Sequence, residues 1–258
     1  MIKVLFMGRK QVSADLLEVL NEFKGVQIVG VLTDSHLEGS PTKEVAMELG
    51  LKVYTFESAL SEMKLGSLVF DLGLSVLYWR KLKDEFLTVP SKGVINFHPA
   101  LLPEYKGTGG YNLAILEKLS EWGVSAHYVD ESIDTGDIIK VNKFPINTES
   151  ETVVSLEKKS MDVLRKMVLE VFKDAISATD ILKTTPNVGG RYVSRLEMES
   201  MKKIIDGDDI PRKIRAFWFP PYDGAYIEVG GEKFTLVNRH ILESLAPSGA
   251  TSLFAESS

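Results

Sequence analysis

Asn96, His98 and Asp134 are the side chains of this sequence best suited to chemistry. Asn96 and His98 stand two residues apart, where the apolar run that begins at Val94 stops. Residues i and i+2 of an extended strand point to the same side, so both side chains can reach one space. Asp134 lies in a polar turn farther along the chain and needs only a loop to reach them. An amide, a titratable imidazole and a carboxylate are the groups that acyl transfer requires.

The first two-thirds of the chain alternates short apolar runs with helical patterns, which is typical of parallel α/β units. The predicted strands span residues 2–7, 26–32, 52–56, 69–78, 93–98, 124–130 and 137–145. The predicted helices span residues 11–23, 42–49, 111–122 and about 150–176, the last with a capping box of Thr148 and Glu151. We therefore predict an α/β fold, with a Rossmann-like, mostly parallel sheet flanked by helices. His98 then lies at the carboxyl end of a strand, where such sheets bind ligands.

The regular alternation of strand and helix patterns stops after about Ala178. Residues 206–214 are charged and rich in turn formers, and residues 225–229 and 233–237 flank Gly230-Gly231 as in a β-hairpin. We predict a catalytic core over 1–180, a small hairpin-containing C-terminal subdomain over 181–245, and a disordered tail over 246–258.

Composition excludes several classes of protein. The 258 residues contain no Cys, which excludes disulfides, thiolate zinc sites and a Cys nucleophile. The net charge is −6, with 30 basic and 36 acidic residues and no basic run, so a nucleic-acid partner is disfavoured. No apolar segment is long enough for a signal sequence or a membrane span, and we expect a soluble cytoplasmic protein. His36, His127 and His240 have no neighbours in sequence that indicate a metal site.

The segment from Asn96 to Gly107, together with Asp134-Thr135-Gly136-Asp137, closely resembles the signature of the 10-formyltetrahydrofolate-dependent formyltransferases. The resemblance covers roughly residues 1–180. It implies the formyltransferase fold, 10-formyltetrahydrofolate as co-substrate without a metal, and Asn96, His98 and Asp134 as the catalytic residues.

The implied reaction is attack of an amine on the formyl carbon, with departure of tetrahydrofolate. The Asn96 amide and a protonated His98 can stabilise the oxyanion that forms. His98, with an unperturbed pKa of about 6.5, can accept the proton of the amine. Asp134 either orients His98 and favours its imidazolium or positions a water that relays the proton to the folate nitrogen.

Two groups of candidate binding residues follow. In the family the pterin lies beside the strand end and the loop that correspond here to residues 75–82 and 131–134. The candidate folate-binding residues are Tyr78, Trp79, Leu82, Ile133 and Asp134, although aromatic residues at a strand end equally fit a core. The candidate substrate-binding cations are Arg9, Lys10, Arg80 and Lys81, which either meet a phosphate or are simply solvated.

The aromatic segment 217–226 contains the last two candidate substrate-binding residues, Trp218 and Tyr222. It fits a stacking platform for a nucleobase or a packing and dimer seam. Residues 211–226 resemble the C-terminal region of the short sugar N-formyltransferases. This resemblance implies a homodimer that formylates the primary amine of a nucleotide-linked amino-deoxy sugar used in O-antigen or another surface glycan.

Two alternatives remain open. Methionyl-tRNA formyltransferases belong to the same family but carry a larger, basic C-terminal barrel, for which we expect too little room after Ile176. A non-catalytic relative that binds nucleotide or folate is the other alternative, and the intact Asn96, His98 and Asp134 argue against it.

Overall fold

The structure is a computed structural model that describes residues 1–33 and 39–245. The strands are β1 (Ile2–Gly8), β2 (Val26–Leu32), β3 (Val53–Tyr54), β4 (Leu72–Val76), β5 (Val94–His98), β6 (Tyr105–Gly107), β7 (Glu121–Tyr128), β8 (Ile138–Pro145), β9 (Arg191–Val193), β10 (Tyr226–Val229) and β11 (Glu232–Thr235). The helices are α1 (Gln11–Asn21), α2 (Pro41–Glu48), α3 (Phe56–Lys64), α4 (Asp84–Thr88), α5 (Gly110–Leu116), α6 (Val153–Ser177), α7 (Arg195–Ser200), α8 (Ile210–Phe217) and α9 (Arg239–Ser244). None of the helices in these two ranges is both long and apolar enough to cross a bilayer.

Seven strands form the main sheet, in the order β3-β2-β1-β4-β5-β7-β8. The strands from β3 to β5 pair in parallel, whereas β7 and β8 are antiparallel to their neighbours. The predicted α/β fold with a mostly parallel sheet is confirmed. The chain runs outward from β1 to β3 and then returns to β4, so the strand order reverses between β1 and β4. Sheets of this kind bind ligands beside such a reversal, at the carboxyl ends of the strands.

Helices cover both faces of this sheet. On one face, α1 and α6 pack over the strands in a core that contains Phe6, Phe97 and Phe172. On the other face, the core around Phe56 and Phe86 brings α3 and α4 against the sheet. Burying one such side chain contributes roughly 1.5–3 kcal/mol to stability. The cores therefore hold the strand ends that carry the site in fixed positions.

The predicted helix over 111–122 is wrong in its second half. Helix α5 ends at Leu116, and Lys118 then adopts a φ of 58°, which a helix does not allow. Trp122 belongs instead to β7 and is completely buried in a third core, between α5 and the C-terminal region. Leu119 keeps the helical spacing of apolar residues across the break, which is why periodicity did not reveal it.

The predicted capping box of α6 is also wrong. The N-cap is Thr152, which accepts a hydrogen bond from the Ser155 backbone N–H while the Ser155 side chain accepts one from Thr152. Glu151 instead accepts a hydrogen bond from the Ser155 hydroxyl and pairs with Lys159. Both Thr148 and Thr152 suit an N-cap by type.

The C-terminal region contains the predicted hairpin, since β10 and β11 pair in antiparallel register around Gly230-Gly231. The prediction of turns over 206–214 is wrong from Ile210, where α8 begins after the N-cap Asp209. The predicted tail, 246–258, lies outside the described residues. The domain boundary near residue 180 remains a prediction.

Basic residues of α8 are buried and paired, although Lys and Arg side chains are rarely buried in proteins. Arg212 contacts Glu149 at 2.6 Å and Asp209 at 3.0 Å, and Lys213 contacts Asp208 at 2.6 Å. A buried cation needs such partners, because burying it alone is costly. The pair of Arg212 with Glu149 attaches α8 to the loop that precedes α6, whereas the pairs with Asp208 and Asp209 are local to the start of α8.

Candidate active site

The three predicted catalytic side chains lie together at the carboxyl end of β5. Asn96 and His98 come from β5 itself, and Asp134 comes from the turn between β7 and β8. Asp134 Oδ2 lies 3.6 Å from His98 Nδ1. The loop after His98 is held by Ser125 of β7, whose hydroxyl donates to the Ala100 carbonyl and accepts from the Leu102 N–H.

The proton arrangement of His98 follows from its neighbours. Nε2 lies 2.9 Å from the Tyr105 carbonyl oxygen, which can only accept, so Nε2 carries a hydrogen. Nδ1 is therefore the nitrogen left to accept a proton, and it faces Asp134. Burial lowers the pKa of His98, while the Asp134 charge and the Tyr105 carbonyl partly offset that effect. His98 is consequently neutral at neutral pH and able to act as a base.

This lowered pKa sets an expected pH dependence. A base must be unprotonated to act, so activity should fall on the acid side, with an inflection in kcat/KM below the ordinary histidine value of 6.5. Initial rates measured from acidic to neutral pH, with circular dichroism at each pH as the control for folding, would give the inflection. An inflection clearly above 6.5 would contradict this assignment of the base.

Asp134 is a buried carboxylate with several partners. Burial acts to raise its pKa, but the charge of His98, the His127 imidazole and the Gly107 backbone N–H together leave it below the usual value. The Gly107 N–H donates to Oδ2 at 2.9 Å. Asp134 therefore remains ionised at neutral pH and can stabilise positive charge on the neighbouring imidazole.

His127 is a member of this cluster that sequence analysis missed. The antiparallel pairing of β5 and β7 places it directly opposite Asn96, and its Nε2 lies 3.5 Å from Asp134 Oδ1. Its Nδ1 donates to the Tyr128 carbonyl oxygen at 2.6 Å, so Nε2 can accept from Asn96 Nδ2 at 3.1 Å. Only the strand register, which the sequence does not show, could have identified it.

Ser75 of β4 fixes the other end of the Asn96 amide. Its hydroxyl donates to Asn96 Oδ1 at 2.7 Å, which leaves the NH2 group of Asn96 directed to His127 and the site. An amide nitrogen has two hydrogens, and one of them remains for a ligand oxygen. Asn96 is thus held ready to stabilise a developing oxyanion.

Two cavities meet at these residues. The inner cavity, of about 120 Å³, is lined by Ser75, Tyr78, Trp79, Arg80, Lys81, Leu82, Asn96, His127, Val129, Asp130, Ser132, Ile133 and Asp134. The outer cavity, of about 390 Å³, is lined by Arg9, Lys10, Leu77, Tyr78, Trp79, Asn96, Phe97, His98, Pro99, Gly107, Thr108, Ile133, Asp134 and Tyr192. Asn96 and Asp134 are among the residues that border both cavities, so both can contact a group held where the cavities meet.

The predicted folate-binding residues all line the inner cavity. Tyr78, Trp79 and Ile133 border both cavities, and Leu82 borders the inner one only. Within the described residues, no group of three or more His, Asp or Glu side chains is arranged to hold a metal ion.

The predicted substrate-binding cations are divided between the two cavities. Arg9 and Lys10 line the outer cavity, with Lys10 paired to Glu157. Arg80 and Lys81 line the inner cavity, with Arg80 paired to Glu57 at 2.9 Å. The structure therefore does not bring these four cations around one phosphate.

The two aromatic candidates lie elsewhere. Trp218 packs against the core that contains Trp122, and Tyr222 stacks on Phe219 with a centroid distance of 5.9 Å. Neither lines the inner or the outer cavity. This placement favours the packing interpretation of the aromatic segment over a stacking platform at the site.

Comparison with known proteins identifies the family. Residues 2–172 match the formyl transferase family, and the chain belongs to it. Methionyl-tRNA formyltransferase from Listeria innocua is 32% identical over 187 residues, which cover 68% of this chain and 58% of that enzyme. The match thus spans less than two thirds of that relative's length.

Two solved structures are similar over most of the chain. A 4-N formyltransferase from Francisella tularensis matches with a TM-score of 0.76 at 20% identity, covering 92% of this chain and 97% of that one, which shows the shared fold. An N-formyltransferase from Helicobacter canadensis, in complex with folinic acid and dTDP-3-aminofucose, matches with a TM-score of 0.71 at 26% identity. That match covers 90% of this chain and 86% of that one.

Proposed function

We propose that this protein transfers the formyl group of 10-formyltetrahydrofolate to the primary amine of a nucleotide-linked amino-deoxy sugar. The observation that carries the proposal is the junction of two cavities at Asn96 and Asp134, with His98 beside it. A transfer between two bound molecules needs such a junction. The Helicobacter canadensis relative, which binds folinic acid and dTDP-3-aminofucose, supports this pair of ligands.

The inner cavity suits the folate. Its aromatic and apolar walls, Tyr78, Trp79 and Leu82, match the faces of a planar pterin ring. Polar side chains that line the same cavity, including His127, Asp130 and Ser132, supply hydrogen-bonding groups for the pterin edge. Lys81 at the same cavity can meet the carboxylates of the folate tail.

The outer cavity suits the amino sugar and its nucleotide. Arg9 and Lys10 follow β1 and precede α1, a position that favours phosphate through cations and helix N–H groups together. Tyr192, which sequence analysis missed, adds an aromatic side chain to the same cavity. His98 and Asn96 then face the amine at the end of the outer cavity that meets the inner cavity.

The steps follow from these positions. The amine attacks the formyl carbon, forming a C–N bond, and the carbonyl oxygen becomes an oxyanion that Asn96 Nδ2 stabilises. His98 Nδ1 takes the amine proton, and Asp134 stabilises the resulting imidazolium. The bond from the formyl carbon to the folate nitrogen then breaks. That nitrogen receives the proton that His98 had accepted, and tetrahydrofolate leaves.

Substitutions at the two cavities test this assignment. Arg9→Ala is expected to raise KM for the nucleotide sugar about tenfold or more, since a hydrogen bond to a charged group contributes about 1.5–3 kcal/mol. Its KM for the folate should change little. Lys81→Ala should raise KM for the folate and change KM for the nucleotide sugar little. The rise should be smaller, about threefold, because the Lys81 side chain is exposed.

Steady-state kinetics with each substrate varied in turn give both KM values, and each variant is the control for the other. If Arg9→Ala raised KM for the folate alone, or Lys81→Ala raised KM for the sugar alone, the two ligands would have to be exchanged between the cavities. If both variants left both KM values unchanged, neither residue would take part in binding.

A tRNA substrate is the second candidate, because the Listeria innocua relative is a methionyl-tRNA formyltransferase. Against it stand the net charge of −6 and the pairing of Arg212 and Lys213 with carboxylates, which removes them from a phosphate-binding surface. Binding of tRNA through several phosphates would weaken by a factor of about 10³ or more between 50 and 200 mM salt. A nucleotide sugar would show a much weaker dependence, so a salt series separates the two.

A further inference from the structure

Asn187 lies outside residues 2–172, the part of the chain that matches the family. Its side chain contacts the turn that carries Asp134, which we call the catalytic turn. Asn187 lies after α6, and its side-chain Nδ2 donates to the backbone carbonyls of Asp134 at 3.0 Å and of Gly136 at 2.9 Å. The residue is buried, with 8% of its surface exposed. Both partners are carbonyl oxygens, which only accept, so the amide nitrogen must face them.

The turn that Asn187 holds is conformationally demanding. Asp134 has a φ of 55°, in the left-handed region that non-glycine residues avoid. Gly136 lies so close to β7 that a Cβ atom there would be 1.9 Å from the Tyr128 carbonyl oxygen. A residue in such a conformation persists only when surrounding contacts determine it. The two hydrogen bonds from Asn187 bracket the turn and supply such contacts.

The segment that carries Asn187 is itself attached to β6. Lys106 is buried, and its Nζ donates to the Gly189 carbonyl at 2.8 Å and lies 3.4 Å from the Asn187 carbonyl. The next residue, Gly107, donates its N–H to Asp134 Oδ2. These contacts therefore join three parts of the chain to one another: β6, the catalytic turn and the Asn187 segment.

The Asn187 side chain makes its contacts through the NH2 group. Its Oδ1 is buried and has no hydrogen-bond partner among the described residues. The structure therefore explains the residue by its two donors, which an aliphatic or carboxylate side chain would lack.

We propose that Asn187 is a positioning residue that holds Asp134 at its distance from His98. This inference rests on the proposed role of Asp134 in formyl transfer. It also assigns a part in the active site to the C-terminal region, because a side chain after α6 fixes the conformation of the catalytic aspartate.

Kinetics of Asn187→Ala test the proposal. The variant is expected to lower kcat about 10- to 100-fold, because small displacements of reacting groups are costly, while both KM values change less than about threefold. In a protein that already carries Asp134→Asn, Asn187→Ala should lower kcat less than about twofold, because the carboxylate that Asn187 positions is already absent. An equal loss of kcat in both backgrounds would overturn the proposal.

The matched control is Asn112→Ala, which removes another amide that joins two elements, through a 2.6 Å hydrogen bond from Nδ2 to the Ala216 carbonyl. Asn112 lines neither the inner nor the outer cavity. It should lower the melting temperature without the loss of kcat. If Asn187→Ala does not fold, Asn187→Ser, which keeps one donor, takes its place in the same comparison.

A readout that needs no turnover separates this inference from the proposed function. The His98 ring signal, assigned by its loss in His98→Gln, is followed by NMR through a pH titration. Asn187→Ala should shift the midpoint to lower pH, because a displaced Asp134 stabilises the imidazolium less. If the midpoint shifts in Asn187→Ala while the wild-type protein formylates nothing, the positioning role is kept and the proposed function is rejected. An unchanged midpoint would reject the positioning role, whatever the activity.

Discussion

Replacing His98 with alanine is expected to lower kcat/KM for formyl transfer by a factor of about 10²–10⁴. The amine must lose a proton as it attacks, and His98 Nδ1 is the nitrogen that its Tyr105 hydrogen bond leaves for that purpose. The fold should survive, because His98 lies at the end of β5 and is not one of the apolar side chains that form the core of the sheet. Initial rates at saturating folate, with circular dichroism and a melting curve for each protein, measure the effect.

His98→Gln is the matched variant for this prediction. Glutamine can still donate a hydrogen bond toward the Tyr105 carbonyl, but it has no group that titrates near neutral pH. It should be as slow as His98→Ala if proton transfer is what the residue provides. Turnover close to that of the wild type in either variant would show that another group is the base.

Replacing Asp134 with asparagine is expected to lower kcat by a factor of about 10²–10³, since the imidazolium of His98 loses its stabilising charge. The pH profile should change as well. The Asp134 carboxylate raises the pKa of His98 against the effect of burial. Without it the pKa falls further, and the acid inflection of kcat/KM moves to lower pH than in the wild type.

Asp137→Asn provides the control for charge in the same turn. Asp137 is exposed and lies outside both cavities. It should leave kcat within about twofold of the wild type and the inflection unchanged. An inflection of Asp134→Asn that moved to higher pH would contradict the pairing of Asp134 with His98.

The fold and the proximity of Asn96, His98 and Asp134 could be predicted because their signals are local. Alternating apolar runs and helical patterns indicate a parallel α/β sheet, and an Asn and a His two residues apart on one strand must share a side. Asp134 was predicted by the resemblance and by its polar turn, and the structure places it within 3.6 Å of His98.

What could not be predicted depends on contacts between distant segments. His127 reaches the site because β7 pairs with β5 in one particular register, and Tyr192 because β9 pairs with β6. Asn187 reaches the catalytic turn from beyond α6. Local signals also indicated the wrong residue where two candidates were chemically similar, as with Thr148 and Thr152 as the N-cap of α6.

The separation of the four candidate cations between the two cavities also depends on contacts between distant segments. Arg9 follows β1 and Arg80 follows β4, and these strands are neighbours in the sheet. Strand order alone therefore suggests that both face one ligand. The side chains diverge because Arg80 turns to Glu57 and lies over the Phe56 ring at 4.3 Å. That choice depends on α3, a helix that periodicity did not reveal.

The most direct measurement is mass spectrometry of the products after incubation with 10-formyltetrahydrofolate. The acceptors are a panel of nucleotide-linked amino sugars, with initiator methionyl-tRNA in parallel. The proposed function predicts that one amino sugar gains a formyl group, and that the gain is lost in His98→Ala. Formylation of the tRNA alone would contradict the proposed acceptor. A folate that binds while no amine in the panel is formylated would contradict the proposed transfer to amino sugars.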